Sequence, residues 1–434
     1  MIPKEMLKHV IVESLAKFPV SLTRRLQPDA EKYLNIKEVL VITGARRSGK
    51  TFFMYQLINQ LLSKLPKQNI LYINFEDERL AFIGREDLNA IYEAFLELNN
   101  PEGKLYFFFD EIQNVPLWEK WISRMYEKDI KFVISGSNAS LLSSEFSAAL
   151  TGRNIGTSIF PFSFREFLSV REPELLSLQP NEILYVSENK AKIKRLFTEY
   201  INAGGFPEVV LENKKEILPQ YFKDILYRDI IARKNIKFKE SIEKLALYLI
   251  ANTSSLTSFY RLKKIIEARS INTIKNYVSF LEEAFLIFRV PLFSYSLKQQ
   301  IYNPFKVYCV DTGLRNAVSF RFMEDFGKLA ENLVFLQLKR MGKEVYYWKD
   351  KGEVDFVIKE GLKPKHLIQV CWNVSDSKAR SREVSALVKC AEKFSLNEGI
   401  VLTEDYAAEE RLDDIRIKFV PMWCWMLEIL ESHE

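Results

Sequence analysis

Residues 39–51 read Val39-Leu40-Val41-Ile42-Thr43-Gly44-Ala45-Arg46-Arg47-Ser48-Gly49-Lys50-Thr51. A short apolar strand runs into a loop bounded by two glycines, and Lys50-Thr51 open an amphipathic segment that continues to about Leu65. The spacing is G-x-x-x-x-G-K-[ST], flanked by a strand and a helix as that motif requires. Glycines, lacking a Cβ, let backbone N–H groups close on an anion. The first turn of the helix adds free N–H donors and the positive end of its dipole. Gly44, Ala45, Arg46, Arg47, Ser48, Gly49, Lys50 and Thr51 are therefore the candidate phosphate-binding residues. Lys50 reaches the terminal phosphates and the Thr51 hydroxyl faces Mg²⁺, so ATP with Mg²⁺ is the implied ligand.

Two further strands support that loop. Leu105-Tyr106-Phe107-Phe108-Phe109 is a near-continuous apolar run ending in Asp110-Glu111. At the carboxyl end of such a strand Asp110 is placed to hold Mg²⁺ through water, and Glu111 to polarise an attacking water as general base. An acidic base beside Asp110 favours hydrolysis over binding alone. Phe132-Val133-Ile134-Ser135 leads into Gly136-Ser137-Asn138, where Ser137 or Asn138 has the polar side chain to orient that water. Next comes Thr151-Gly152-Arg153-Asn154. Arg153 reads either as an arginine finger across a subunit boundary or as a surface Arg near a helix end.

Composition narrows the class. The chain has 434 residues, 47% of them apolar and 27% charged, which suits two to four globular domains. With 15 Gly and 15 Pro, collagen-like and low-complexity readings fail. No apolar run reaches the ~18 residues of a membrane span. The longest, Phe419 to Leu430, contains Glu428. The N-terminus lacks the apolar core of a signal peptide. Four scattered cysteines without a CxxC pair and three histidines argue against a disulfide scaffold or a zinc site, and a reducing, cytoplasmic setting is expected. The net charge is only +5, but residues 241–310 carry nine Lys/Arg and four Asp/Glu, so the excess sits there. A basic segment in a neutral chain is a candidate nucleic-acid footprint or simply a solvated face.

The hydrophobic pattern predicts strands at Val39–Thr43, Ile70–Phe75, Leu105–Phe109, Phe132–Ser135 and Gly156–Phe160 alternating with helices. This is an α/β domain with a parallel sheet covered on both faces. The expected organisation is a helical lead-in over 1–35, a P-loop ATPase domain over 36–168 and a helical lid or linker over 169–240. A winged-helix domain over 241–320 and an α/β domain over 321–434 follow. In the last, strands are expected at Val345–Trp348, Val354–Ile358 and Leu367–Trp372, a helix at Arg382–Phe394, and strands near Ile400 and Ile417. Residues 271–285 place Ile271, Ile274, Val278, Leu281 and Phe285 on one stripe, with Ser270 as cap.

Taken together, Gly44–Thr51, Asp110-Glu111-Ile112-Gln113, Ile134-Ser135-Gly136-Ser137-Asn138 and Gly152-Arg153 resemble the prokaryotic AAA+-like P-loop ATPases, abundant in archaea. The resemblance extends through Gly204-Gly205-Phe206-Pro207, Phe285-Leu286-Ile287, Val310-Asp311-Thr312-Gly313-Leu314 and Gly352-Glu353-Val354-Asp355-Phe356. It implies an AAA+-like core, a winged helix and a C-terminal module similar to restriction-endonuclease folds. It also implies an oligomer, with Arg153 supplied by a neighbouring subunit, and Glu111, Lys50, Arg153 and Asn138 as catalytic residues. Arg261, Lys263, Lys264, Lys275, Asn276 and Lys298 are the expected DNA contacts; the alternative is a packing or protein-binding surface. Active nucleases of that fold use an Asp and a Glu-x-Lys. Here Asp355 is present with Glu331 on the preceding helix, but Gln369-Val370-Cys371 stand at the expected Glu-x-Lys, so no nuclease activity is expected. Two functions remain open: an ATPase whose cycle drives conformational change on DNA or a DNA-bound partner, and a slow-turnover ATP switch on a protein-interaction platform.

Overall fold

The computed structural model describes residues 2–14, 30–142, 152–319 and 325–428. Residues 15–29 of the helical lead-in, Thr151 and Leu430 lie outside the described residues. The chain divides into two compact units, Met1–Ile159 and Phe160–Glu434.

The first unit is built on five parallel strands, β1 (Val39–Thr43), β2 (Ile70–Asn74), β3 (Leu105–Asp110), β4 (Ile130–Gly136) and β5 (Asn154–Ser158), in the order β2-β3-β4-β1-β5. Every residue of β1, β3 and β4 is buried, as strands covered on both faces must be. The two-residue period of a strand sorts them between two layers. Val39, Val41, Leu71, Ile73, Phe107, Phe109, Phe132 and Ile134 pack with the helices Lys4–Ser14, Asp87–Asn99 and Trp118–Met125. Leu40, Ile42, Ile70, Tyr72, Phe108 and Val133 pack with Phe53, Met54, Leu57, Ile58 and Leu61 of the helix Lys50–Leu62. Phe107 meets Phe95 and Phe132 edge-on, with ring centroids 5.3 and 5.8 Å away, a favoured aromatic geometry. The expected strand at Gly156–Phe160 is found two residues earlier, at Asn154–Ser158. Its backbone pairs with β1 from Val39↔Asn154 to Thr43↔Ser158, and its half-exposed residues give no hydrophobic edge from which to read a start.

In the second unit, helix Lys239–Ala251 precedes strand β6 (Ser255–Thr257), helices Phe259–Ile266 and Ile271–Glu283, and strands β7 (Ile287–Val290) and β8 (Phe305–Cys309). The strands form an antiparallel sheet in the order β6-β8-β7. The side chain of Ser270 accepts from the backbone N–H of Thr273 and so caps its helix. Ile274, Val278, Leu281 and Phe285 are buried as the stripe predicts, whereas Ile271, in the first turn, is 37% exposed. Three residues long, β6 is too short to announce itself by periodicity.

The rest of this unit is a six-stranded sheet of β9 (Glu344–Lys349), β10 (Glu353–Glu360), β11 (Lys363–Val370), β12 (Glu398–Thr403), β13 (Ala408–Leu412) and β14 (Ile415–Pro421). Its order is β13-β14-β12-β11-β10-β9, with parallel pairs only at β11–β12 and β12–β14. Helix Phe326–Arg340 packs Leu329, Leu333 and Leu336 with Phe356, Ile358 and Ile368. Helix Ser377–Phe394 packs Val384, Leu387 and Cys390 with Val357, Leu367 and Ile417. The polar, exposed edge strand β13 went unpredicted because Ala-Glu-Glu-Arg-Leu carries no alternation. Two of the family-like motifs outside the first unit meet at Asp311, which is buried and accepts from Gly205 N at 2.6 Å and from Leu314 N at 2.8 Å. Burial pushes its carboxyl up to about 6 against those bonds.

Candidate functional site

The loop between β1 and helix Lys50–Leu62 has the backbone its sequence implies. Gly44, Arg47 and Gly49 have φ of 148°, 63° and 100°, the left-handed region that favours glycine. A Cβ at Gly44 would overlap the carbonyl oxygen of Ile159. Ala45, Ser48 and Lys50 are buried, Arg46 is half-buried and Arg47 is exposed. Lys50 Nζ donates to the carbonyls of Gly44 and Ala45, both at 3.2 Å, so the ammonium lies over the loop. Arg46 is clamped by both carboxylate oxygens of Glu76, at 2.9 and 3.3 Å.

In a parallel sheet all carboxyl ends share one edge, and that topology brings the second motif to the loop. Thr51 Oγ1 donates to Asp110 Oδ2 at 2.6 Å. The same carboxylate accepts from the Tyr72 hydroxyl at 3.2 Å and, on Oδ1, from Ser135 Oγ. Burial raises the Asp110 carboxyl, the charge of Glu111 raises it further, and the Ser135 and Thr51 hydroxyls and Lys50 oppose the rise. Glu111 begins the turn after β3 with φ of 53°. Its N–H donates to Ser135 Oγ at 3.2 Å, its Oε1 lies 3.6 Å from Lys50 Nζ, and its Oε2 accepts from Gln113 Nε2. A hydroxyl, two carboxylates and an ammonium converge at the start of a helix. That donor set fits a triphosphate and a hard divalent cation.

Asn138 follows two residues after β4 at the same edge, and its carbonyl accepts from Leu141 N at 3.2 Å. Arg153 does not join this site. Its carbonyl accepts from Val39 N at 2.9 Å, which puts it at the amino end of β1, about 16 Å of strand from the loop. Its guanidinium pairs with Glu127 at 2.7 Å over the Tyr126 ring. Sequence reasoning passed over Ser135, Tyr72, Glu76 and Gln113. Each is a polar residue on or beside an apolar strand; the sheet order β2-β3-β4-β1 brings Ser135, Tyr72 and Glu76 to their partners, and the turn after β3 folds Gln113 back on Glu111.

The expected DNA contacts lie on the second unit, those of helices Phe259–Ile266 and Ile271–Glu283 on neighbouring elements. Arg261, Lys264, Lys275, Asn276 and Lys298 are exposed and Lys263 is half-buried. Lys264 lies over Tyr260 at 4.7 Å and Lys275 over Phe259 at 5.7 Å. Lys298 lies in the helix Leu297–Tyr302, and the segment that carries this helix is tied at both ends to β9: Phe293 N donates to the Tyr347 carbonyl at 2.7 Å, and the Tyr347 hydroxyl to the Pro304 carbonyl at 2.5 Å.

Asp355 and Glu331 share a buried acidic centre in the C-terminal part of the second unit. Cys371 supplies no ammonium, but buried Lys306, on β8, does. Its Nζ stands 2.7 Å from Asp355, 2.8 Å from Glu353 and 3.0 Å from Glu331. A register shift between Val354 and Val357 in the β9–β10 pairing brackets Asp355; bulges of this kind re-aim a side chain. The second oxygen of Asp355 accepts from Val370 N at 3.0 Å, and its N–H donates to Gln369 Oε1 at 3.0 Å. Burial works to lower the Lys306 pKa, but Asp355 and Glu331 outweigh it and the ammonium is held well above its ordinary range. Burial and then the charge of Asp355 push Glu331 up to about 8. The lysine could not be found from local spacing, because it reaches the centre from a strand preceding helix Phe326–Arg340.

Residues 36–168 match the family described as AAA domain. Residues 194–325 and 326–425 match two domains of unknown function, DUF8612 and DUF4143. The chain is 37% identical over 418 residues to protein MJ1544 of Methanocaldococcus jannaschii, covering 92% of this chain and 90% of that one. It is 28% identical over 398 residues to an uncharacterized protein of Haemophilus influenzae, covering 89% and 94%. Among solved structures, the Aeropyrum pernix ORC1 protein in complex with DNA aligns over 69% of this chain and 94% of its own length. The identity is 12% and the TM-score 0.32, a likeness too slight to bear on function.

Proposed function

The chain belongs to the family of the M. jannaschii protein MJ1544 and carries a nucleotide-binding, AAA-type P-loop ATPase domain, and from that premise we propose that it hydrolyses ATP with Mg²⁺ and couples the cycle to conformational change on DNA or a DNA-bound partner. One observation carries the reading: Lys50, Thr51, Asp110 and Glu111 converge at one sheet edge, with Thr51 bonded to Asp110 at 2.6 Å and Lys50 3.6 Å from Glu111. In this reading the amides of Gly44–Thr51 and Lys50 hold the phosphates, Thr51 and Asp110 hold Mg²⁺, Glu111 takes a proton from water and Asn138 orients it. Bound Mg²⁺ supplies positive charge to the phosphoryl oxygens. The test is steady-state ATP turnover by the purified protein with and without duplex and single-stranded DNA. Tight retention of nucleotide with negligible turnover under every condition would instead support the switch reading.

Arg153, remote from the loop of its own chain, acts in this proposal on the site of a neighbouring copy. The Arg153→Ala variant is then expected to lose on the order of 10³-fold in turnover while retaining nucleotide affinity. Equal loss of both, or a mass in ATP that stays monomeric, would leave Arg153 a surface partner of Glu127.

The DNA half of the proposal is supported by helix Ile271–Glu283 and the antiparallel order β6-β8-β7, the arrangement a winged helix requires. It is supported too by the exposed Lys275 and Asn276 on that helix, Arg261 and Lys264 on the helix before it, and Lys298 farther along the chain. Binding measured across a salt series should show log K falling by about 0.9 per phosphate neutralised for each tenfold rise in salt. The Lys275→Ala variant should flatten the log–log slope by about one. A salt-independent affinity, or a slope untouched by the substitution, argues for a protein partner on this face.

A further inference from the structure

The outer side of helix Phe259–Ile266 sets aromatic rings beside cations. The helix turns Leu262 and Ile266 inward, which leaves Tyr260, Arg261, Lys264 and Ile265 exposed, as the helical period requires. Tyr260 is 60% exposed, and Lys264, one turn on, lies over its ring at 4.7 Å. Three residues past the end of the helix the arrangement recurs. The Arg269 guanidinium stands 5.9 Å from the ring centre of Phe238, which is also 60% exposed. Lys237 and Lys239 flank Phe238 in the chain and are exposed as well. Charge is unbalanced here. Lys237, Lys239, Arg261, Lys264 and Arg269 form no ion pair among the described residues, and only Glu240 and Glu267 oppose them in the same stretches. The acidic residues at the end of helix Ile271–Glu283 are otherwise engaged: Glu282 holds Arg289 and Glu283 holds Lys234.

We propose that this face binds single-stranded DNA, with bases stacked on Tyr260 and Phe238 and phosphates held by Lys264, Arg269 and the cations around them. This rests on the reading that the second unit binds DNA, and it narrows that reading to the unpaired strand. A nucleotide carries a flat base beside a charged phosphate, and each exposed ring here has a cation beside it. A duplex shows a protein the edges of its bases in the grooves, while their faces are closed against one another. Only an unpaired strand can lay a base on a side-chain ring. Every base has such a face, so binding is expected to show little sequence preference.

The experiment is fluorescence anisotropy of the full-length protein with a labelled mixed-sequence DNA strand that cannot pair with itself, with its duplex, and with RNA of the same sequence, across a salt series. The single DNA strand should bind more tightly than the duplex. Tyr260→Ala and Phe238→Ala should each weaken single-strand binding on the order of 10-fold, with the salt slope unchanged because no charge is lost. Tyr260→Phe keeps the ring and should keep the affinity. Lys264→Ala should instead flatten the log–log slope by about 0.7. A duplex bound as tightly as the strand overturns the proposal, and so do Tyr260→Ala and Phe238→Ala variants that bind the strand like the wild type. A loss in Tyr260→Phe equal to that in Tyr260→Ala would assign the contact to the hydroxyl and overturn stacking, and tighter binding of the RNA would overturn the choice of DNA. Failure of the underlying reading looks different: neither strand nor duplex would then bind with a salt-dependent affinity.

Discussion

Replacing Glu111 by Gln is expected to lower ATP turnover by about 10²–10⁴-fold, the range supplied by a positioned base, while ATP remains bound. The two effects separate because Glu111 touches only part of the site. The substitution removes a charge 3.6 Å from Lys50 but leaves the bond between Thr51 and Asp110 and the loop itself in place. Lys50→Ala is the contrasting variant. Its ammonium lies over the Gly44 and Ala45 carbonyls, and its loss should abolish nucleotide binding altogether. Calorimetric titration with a non-hydrolysable analogue and a phosphate-release assay read the two variants. An unchanged affinity in Lys50→Ala would remove the phosphate-site assignment, and an unchanged rate in Glu111→Gln would remove the base.

Lys306→Met is expected to destabilise the second unit by about 3–5 kcal/mol, since breaking a buried ion pair from one side leaves uncompensated charge behind. The ammonium lies within 3.0 Å of three carboxylates and is itself buried. Methionine matches the lysine stem in length but leaves Asp355 and Glu353 facing one another. Adding Asp355→Asn to Lys306→Met should recover part of the loss, because less charge then goes unmatched. Urea unfolding measures both. A double variant no more stable than Lys306→Met alone would show the cost to be packing rather than charge. The pH dependence has a definite sign. Glu331 is held up to about 8 in the folded chain, above the ordinary carboxylate range of an unfolded one. It therefore favours the folded state most at pH below about 4 and loses that contribution as pH rises through about 8. A Glu331→Gln variant should lack this decline.

The two centres were not equally legible. Gly44–Thr51 could be read directly because everything it needs is local: a strand, two glycines, a lysine, a hydroxyl and a helix start lie within thirteen consecutive residues. Asp110 and Glu111 were legible for a similar reason, as a charged pair closing an apolar run. Ser135 and Tyr72 were not. Each sits in an apolar strand, where the hydrophobic period dominates the signal and a single polar side chain says nothing of its partner. Gln113 was quoted only as part of a motif, because nothing in the spacing says that the turn after β3 would fold its amide back on Glu111. Arg153 could be named as a candidate but not placed. Its location at the far end of β1 follows from the pairing Val39↔Asn154.

By itself, then, the amino-acid order determined the α/β class, the five-stranded parallel core and the phosphate loop, since strand periodicity and a glycine-bounded turn act over a few neighbours. Tertiary structure alone decided which hydroxyls hold Asp110, and that a lysine on β8 meets the carboxyl groups of β10 and of helix Phe326–Arg340. Those pairings join residues far apart in the chain, and a buried charge takes its partner from whichever strand the sheet order sets beside it.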